Sequence, residues 1–537
     1  MQSTLVRASL ALTTVLGIYG FVSLELGVFL ALMMFAVFMA MILTGYNVAF
    51  SFAGTALAFA FLGDVTDTFN PDTLNVLPGR WFSAISNATL LAVPLFVLMG
   101  AILERSGIAE RLLNAIGMLM GALRGGVAAA VVIVGTLLAA ATGVVAATVI
   151  VMGLLSLPAM LRLGYDHKLA TGAIIASGTL AQLLPPSIVL ILLAQQLGVG
   201  ILGLFAGALL PGLLLSGLYV AYVLVISWLR PEMGPAMPKD QRTLAGNPST
   251  AAKAEISVIL GVMVGLVMLL QSPSAALIAA IITVVASFAT LSVTRMLAAE
   301  VLVSIVPVIV LILGVLVSIF QGIATPSESG AVGVFGALLL TLMNYRFDRI
   351  FVSQGAEHIN PRWRLGWSEL KNAGQSTANI TILVMTLLFS STFFSLMFFQ
   401  LGGSDQTSEW LTSIGGGKFG FVFIAMVAVF LLGINLEFLE ITFIVVPIFV
   451  PAMLELGFTD AEKVWFAVLM AVNLNMAFIS PPVGFSLFYL QSVAPPEVKT
   501  ADIHKGAIPF MVLQGIALVI LGVFPGIVDI SLNTFSG

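Results

Sequence analysis

Apolar runs separated by short polar stretches make up most of the chain, and their lengths predict its architecture. No charged side chain falls within residues 125–161, 169–229 or 464–496. About 20 apolar residues carry an α-helix across the hydrocarbon core of a bilayer, so each run holds at least one crossing. The pattern predicts an all-α polytopic membrane protein. Inside two of these runs the apolar character continues while the helix cannot. Pro185-Pro186 and Pro481-Pro482, the latter followed by Gly484, each remove two backbone N–H donors and disfavour helix at the residue before them. Free backbone groups at membrane depth are tolerated only where they are buried in protein or line a polar cavity. Two discontinuous helices are therefore expected, and such breaks point to a transport site.

The two breaks are copies of one another. Residues 183–195 read LLPPSIVLILLAQ and residues 479–491 read ISPPVGFSLFYLQ, with the prolines and the final glutamine at one offset (481 − 185 = 296; 491 − 195 = 296). Upstream, PAMLRLGYD at 158–166 and PAMLELGFT at 451–459 share six of nine residues at an offset of 451 − 158 = 293. Two ordered blocks at nearly one spacing mark an internal duplication. Thr142-Gly143 and Asn435-Leu436, also 293 apart (435 − 142), fall where each half is expected to place the tip of a re-entrant helical hairpin.

Charge places the loops. Residues 62–87 hold Asp64, Asp67 and Asp72 against Arg80, and residues 401–418 hold Asp405 and Glu409 against Lys418. Basic residues gather instead at 229–253 (Arg230, Lys239, Arg242, Lys253) and at 345–371 (Arg346, Arg349, Arg362, Arg364, Lys371). Loops rich in Lys and Arg stay in the cytoplasm, which sets a cytoplasmic N-terminus, runs the crossing after Gly45 outward and runs the one at 329–343 inward. If those two crossings are counterparts, the halves form an inverted repeat. The expected divisions are an extra N-terminal transmembrane helix at 1–26, kept because no small-x-small cleavage site follows its apolar run, and a first repeat half at 27–228. A cytoplasmic loop at 229–255, an inserted helical pair at 256–293 and the start of the second half at 294–344 come next. A second cytoplasmic loop at 345–376 and the remainder of the second half at 377–528 complete the plan.

Composition narrows the chemistry. Residues are 60% hydrophobic and 9% charged, against about 25% charged in an ordinary soluble domain. A net charge of −4 gives no reason to expect nucleic acid as a partner. The absence of cysteine excludes disulfides, thiolate metal sites and cysteine nucleophiles. Three acids, Glu328, Glu437 and Glu440, are expected deep in spans or hairpins with no Lys, Arg or His beside them. Intramembrane carboxylates are costly enough to be functional candidates, a helix-terminal acid being the plainer alternative. Thr142, Thr148, Gln195, Thr442, Asn473, Asn475 and Gln491 set neutral oxygens near the breaks, a donor type suited to a hard cation. Each is equally suited to bonding a neighbouring helix. An intramembrane enzyme would rest on Glu437 and Glu440, which a spacing of three puts on one helix face. No HExxH, no GxSxG elbow and no intramembrane His or Cys completes such a set, and no P-loop supplies ATP.

Five stretches resemble the large membrane subunit of tripartite ATP-independent periplasmic (TRAP) transporters. They are GIATPSESGAVG at 322–333, VPIFVPAMLELGF at 446–458, NLNMAFISPPVGFSLF at 473–488, LAVPLFVLMGAILERSGIAERL at 91–112 and GVVAATVIVMGLLSLPAML at 143–161. The resemblance implies an elevator-type secondary transporter in which a transport domain with two re-entrant hairpins and two discontinuous helices moves against a scaffold. It implies sodium-coupled import of a small organic anion, a carboxylate above all, across a bacterial inner membrane. Implied partners are a periplasmic substrate-binding protein, a small four-helix membrane subunit and membrane lipid, with sodium as coupling ion and neither cofactor nor transition metal. Carried onto matching positions, the sodium-binding candidates are Thr142, Gly143, Pro185, Pro186, Glu437 (where the family usually has aspartate), Asn473, Asn475, Pro481 and Pro482, and the neutral oxygens of Thr148 and Thr442 beside them complete the candidate set. Gln195, Gln491, Ser187 and Gly484 are candidates for the substrate path. The chain departs from the family in Thr142-Gly143-Val144, where serine-rich tips are common, in the helix at 1–26 and in the pair at 256–293. A stand-alone sodium/anion symporter on the same hairpin plan is the alternative. A channel fits less well, because duplicated broken helices suit alternating access.

Overall fold

A computed structural model describes residues 25–242, 249–270, 272–293, 296–353, 365–413 and 415–535. The expected helix at 1–26 lies outside them except for its last two positions. Among the described residues the regular structure is entirely helical. Helices α1 (Leu26–Leu43) and α2 (Val48–Val65) come first, followed by the short α3 (Leu77–Ile85), α4 (Ala92–Arg105) and α5 (Ile108–Met120). The first half continues through α6 (Gly126–Thr142), α7 (Val145–Arg162), α8 (His167–Thr179), α9 (Ile188–Leu197) and α10 (Ile201–Leu229). A pair, α11 (Thr250–Met268) and α12 (Pro273–Val293), leads into α13 (Met296–Phe320), α14 (Pro326–Ser353) and α15 (Trp367–Gln400). The second half then runs α16 (Gly403–Ser413), α17 (Gly417–Gly433), α18 (Phe438–Glu455), α19 (Asp460–Phe478), α20 (Phe485–Gln491), α21 (Thr500–Val523) and α22 (Gly526–Phe535). Twelve helices among the described residues are long and apolar enough to cross a membrane. Their outward faces carry exposed Phe50, Phe335 and Val519, as a surface in contact with hydrocarbon permits.

Polar caps mark where the chain enters helix. The Asn47 side chain accepts from the Ala49 and Phe50 N–H groups at the start of α2, and Asp166 accepts from Lys168 and Leu169 at the start of α8. Three helices run further than the apolar pattern predicts. Helix α11 starts at Thr250, inside the expected 229–255 loop; α14 reaches Ser353 and α15 begins at Trp367, both inside the expected 345–376 loop. An apolar run ends at its first charge, whereas a helix continues into the aqueous layer wherever long charged side chains find partners. Here Arg346 on α14 pairs with Glu255 on α11 at 2.7 Å.

Packing crosses between the halves. Helix α2 lies on α15 as α14 lies on α4, and α9 lies on α18 as α20 lies on α7. Helix α8 packs along α21, and there the approach is close enough to need glycine on both sides. A Cβ at Gly172 would sit 2.2 Å from the Gly506 carbonyl oxygen, and one at Gly506 would sit 2.3 Å from that of Lys168. Helix α5 bears on α6 and α13, and α16 bears on α18.

The expected acid-only interior is corrected. Arg111 on α5 and Glu300 on α13 are both buried and form a two-pronged pair at 2.7 and 2.9 Å. Arg111 also reaches Asp348 at 3.1 Å and the Asn344 side chain at 2.7 Å, both on α14. A guanidinium with several oxygen partners can leave water where a lone charge cannot. Arg111 and Glu300 stand near the starts of their helices, and their pairing is a tertiary fact. Glu328 is corrected in the opposite sense. It is exposed and accepts from the Thr325 N–H and hydroxyl, each at 2.8 Å, so it caps α14 and lies outside the protein interior. The TPSE sequence is a capping box, in which a Thr and a Glu three residues on satisfy the free donors of a helix start.

Candidate functional site

The first break follows from its prolines. Helix α8 ends at Thr179, the chain turns tightly at 180–182, and a cis Pro185-Pro186 bond leads into α9. With 10 residues α9 is too short to span: at about 1.5 Å per residue it covers about half of a ~30 Å core. The Ser187 hydroxyl bonds back to the Gln182 carbonyl at 3.0 Å and leaves the first N–H groups of α9 without a side-chain cap.

Against this break rests the turn between α6 and α7. Gly143 has φ +63°, a left-handed conformation that suits glycine, and Val144 is extended. Thr142 and Thr148 share a hydrogen bond of 2.9 Å across the turn, and Thr148 also donates to the Val144 carbonyl at 3.0 Å. A Cβ at Gly143 would lie 3.3 Å from the Pro186 carbonyl oxygen and 3.6 Å from the Ile188 nitrogen. From behind, Gly100 of α4 supports the turn so closely that a Cβ there would sit 2.6 Å from the Thr142 Cα. Thr142, Gly143, Thr148, Pro186 and Ser187 therefore belong to one junction of turn and break, with Pro185 beside them.

The second junction has the same plan and a different chemistry. Helix α19 ends at Phe478, and a cis Pro481-Pro482 bond and Gly484 precede the seven-residue α20. Gly484 is buried, and a Cβ there would meet the Phe478 carbonyl oxygen at 2.7 Å. Glu437 opens α18, and its N–H donates to the Glu440 carboxylate at 2.9 Å. The Tyr489 hydroxyl on α20 donates to the Glu437 carboxylate, also at 2.9 Å. Thr442, fully buried, bonds to the Phe438 carbonyl at 2.8 Å. The turn at the first junction carries no acid and faces helix starts without side-chain caps, whereas the second sets two half-buried carboxylates at its turn.

Beside each break lies a buried amide. Neither polar atom of the Gln182 or Asn475 side chain has a hydrogen-bond partner, and both residues are fully buried. The segment at 180–182 packs on α19, the helix that carries Asn475. Buried polar groups are paired as a rule, so exceptions call for a reason. The Ser486 hydroxyl beside the second break is likewise buried without a partner. Asn473 is turned another way: it donates to the Met426 carbonyl at 2.6 Å and lines an apolar groove between α17, α19 and α21. Gln195 and Gln491 stand at the far ends of α9 and α20, where Gln195 accepts from Asn87 at 2.7 Å and Gln491 donates to Thr500 at 2.9 Å.

Sequence reasoning missed Gln182 and Tyr489. A glutamine three residues before Pro-Pro in an uncharged run was a usable signal. A tyrosine in an apolar helix gives none until its partner is known. Among the described residues no group of three or more His, Cys, Asp and Glu side chains is placed to hold a metal. Hydroxyl, amide, carboxylate and free backbone oxygens remain, a set that suits a hard monovalent or divalent cation.

The family model described as "Tripartite ATP-independent periplasmic transporter, DctM component" matches residues 35–304 and 258–527. The chain is similar to the C4-dicarboxylate TRAP transporter large permease protein DctM of Pseudomonas aeruginosa, 25% identical over 459 residues covering 86% of this chain and 90% of that protein. It is also similar to the isethionate TRAP transporter permease protein DctMQ of Oleidesulfovibrio alaskensis, 24% identical over 446 residues covering 83% of this chain and 58% of that protein. In fold it is similar to the Alcanivorax borkumensis YdaH transporter, with a TM-score of 0.53 and 16% identity, over 86% of this chain and 90% of that one.

Proposed function

Since the chain belongs to the tripartite ATP-independent periplasmic transporter family, as its DctM component, we propose that it imports a small organic anion, a carboxylate above all, driven by sodium. It is a multi-pass membrane permease and not an enzyme. The relatives named for C4-dicarboxylate and isethionate both handle small organic anions, which supports that substrate class here. In this reading a periplasmic binding protein delivers the anion to the outer face of a bacterial inner membrane, and a small four-helix membrane subunit completes the assembly. The N-terminus lies in the cytoplasm. The crossed packing of α2 on α15 and α14 on α4 supports two inverted halves, and the turns at Gly143 and at 434–436 act as tips of re-entrant hairpins in an elevator-like transport domain.

The observation that carries the coupling is the pair of fully buried, unpartnered amides, Gln182 and Asn475, one beside each helix break. An amide offers oxygen to a cation and N–H to a carboxylate, so these two side chains suit a cation and an anion bound side by side. Thr142, Gly143, Thr148, Pro185 and Pro186 supply cation ligands at the first junction, and Glu437, Thr442, Asn475, Pro481 and Pro482 at the second. No basic side chain belongs to either junction, so the bound cation and the helix starts of α7 and α9 provide the positive potential an anion needs. Cation and anion then strengthen each other's binding by the same factor. The test is uptake of labelled organic acids into reconstituted vesicles with sodium or choline outside, with and without the binding protein. Uptake that needs both is the expected result. Full uptake in choline refutes sodium coupling, and full uptake without the soluble protein favours a stand-alone symporter.

A further inference from the structure

The two junctions differ in what holds their turns, and the difference assigns a role to a residue outside the ligand set. Helix α20 is seated on the first half. It packs on α7 and α8, and Gly153 of α7 admits it so closely that a Cβ there would lie 2.8 Å from the Leu490 side chain. From that seat Tyr489 reaches across to the other hairpin, and its hydroxyl donates to the Glu437 carboxylate at 2.9 Å. Glu437 is the first residue after the turn at 434–436, and its own N–H is held by Glu440 at 2.9 Å. One end of the second turn is thus fixed along its own helix and also sideways, to α20, an element of its own half that is seated against the first. The first turn has no such tie. Its hydroxyl pair, Thr142 and Thr148, closes only upon itself, and the position of the first half that matches Tyr489 (489 − 296 = 193) is Leu193, which has no hydroxyl to give.

We propose that Tyr489 is a positioning residue that latches the second hairpin turn, and that its bond to Glu437 is surrendered when that turn opens to admit or release the transported anion. A phenol donating to a carboxylate makes a strong hydrogen bond, and a cation arriving at the same carboxylate competes with it for the oxygen lone pairs. Cation binding at Glu437 and opening of the turn are therefore linked through a single hydroxyl. The first hairpin has no counterpart and stays closed. This inference rests on the sodium-coupled reading above.

The chain has no cysteine, so single cysteines report on each turn. Asn435→Cys and Val144→Cys, both at half-buried turn positions, are labelled with a water-soluble maleimide in reconstituted vesicles without sodium or substrate. Adding Tyr489→Phe is expected to raise the labelling rate at 435 about ten-fold, the order expected for losing a hydrogen bond to a charged group, and to leave 144 unchanged. Glu437→Gln, whose amide oxygen still accepts from Tyr489, is expected to raise it less. Should Tyr489→Phe fail to fold, Glu437→Leu removes the acceptor instead and carries the same expectation. Equal labelling at 435, or an equal rise at both positions, overturns the latch. Unchanged labelling with sodium-driven uptake intact rejects the latch and keeps the transport reading, whereas faster labelling at 435 with sodium-independent uptake keeps the latch and rejects the coupling.

Discussion

Gly143 offers the sharpest test of the first junction. Gly143→Ala adds one carbon and two separable costs. Holding alanine at φ +63° costs about 1–2 kcal/mol, because the Cβ crowds the following carbonyl in the left-handed region. The new Cβ would also stand 3.3 Å from the Pro186 carbonyl oxygen, tighter than most real contacts, and a Pro-Pro segment yields little. Overpacking of this kind costs about 1–3 kcal/mol. Gly198→Ala separates the two costs: its φ is +67°, yet nothing lies within 4 Å of the added carbon. Both variants should lose similar thermal stability from backbone strain. Only Gly143→Ala carries the contact term, which, set against the closed junction, lowers initial uptake by about five-fold to a hundred-fold, at ten-fold per ~1.4 kcal/mol. Uptake is measured in reconstituted vesicles at matched protein content, with thermal unfolding of the purified variants alongside. Equal uptake by the two variants would refute the claim that turn and break work as one unit.

Two further outcomes follow from buried polar groups. Gln182→Leu removes an amide with no partner, so stability should hold or rise while uptake falls at least about ten-fold; a parallel loss of both would mark Gln182 as structural. Arg111→Met leaves Glu300 and Asp348 facing an apolar side chain and should cost about 3–5 kcal/mol, whereas Arg111→Met with Glu300→Met should be no less stable than the single variant. Additive losses in that double-mutant cycle would show that the two side chains are not coupled.

Much of this architecture was legible in the sequence because membrane insertion leaves a blunt record. Apolar run lengths, the doubled Pro-Pro motif and the split between acidic and basic loops follow from constraints that act on each segment alone. Tertiary pairing leaves no such trace. Arg111 and Glu300 lie far apart in the chain, at helix ends that look solvated, and only the meeting of α5, α13 and α14 makes them interior. Glu328 shows the converse: its charge inside an apolar stretch suggested depth, while the local TPSE signature already identified a helix cap. The turn at Thr142-Gly143 could be singled out from the duplication, and Glu437 from the cost of a carboxylate inside an apolar run. Tyr489 was not, since a phenol in an apolar helix packs as well as it bonds.

The glycine contact between α8 and α21 sets a limit on how the machine can be partitioned. With the backbone of one helix lodged at Gly172 against Gly506 of the other, the two helices meet backbone to backbone, with no room for a side chain between them. These two helices stand next to the two breaks, one in each half of the duplicated chain. The ancestral copies have in effect surrendered their independence at this seam. On the sodium-coupled reading proposed above, this shared seam has ion and cargo cross as joint passengers rather than being relayed from one half to the next.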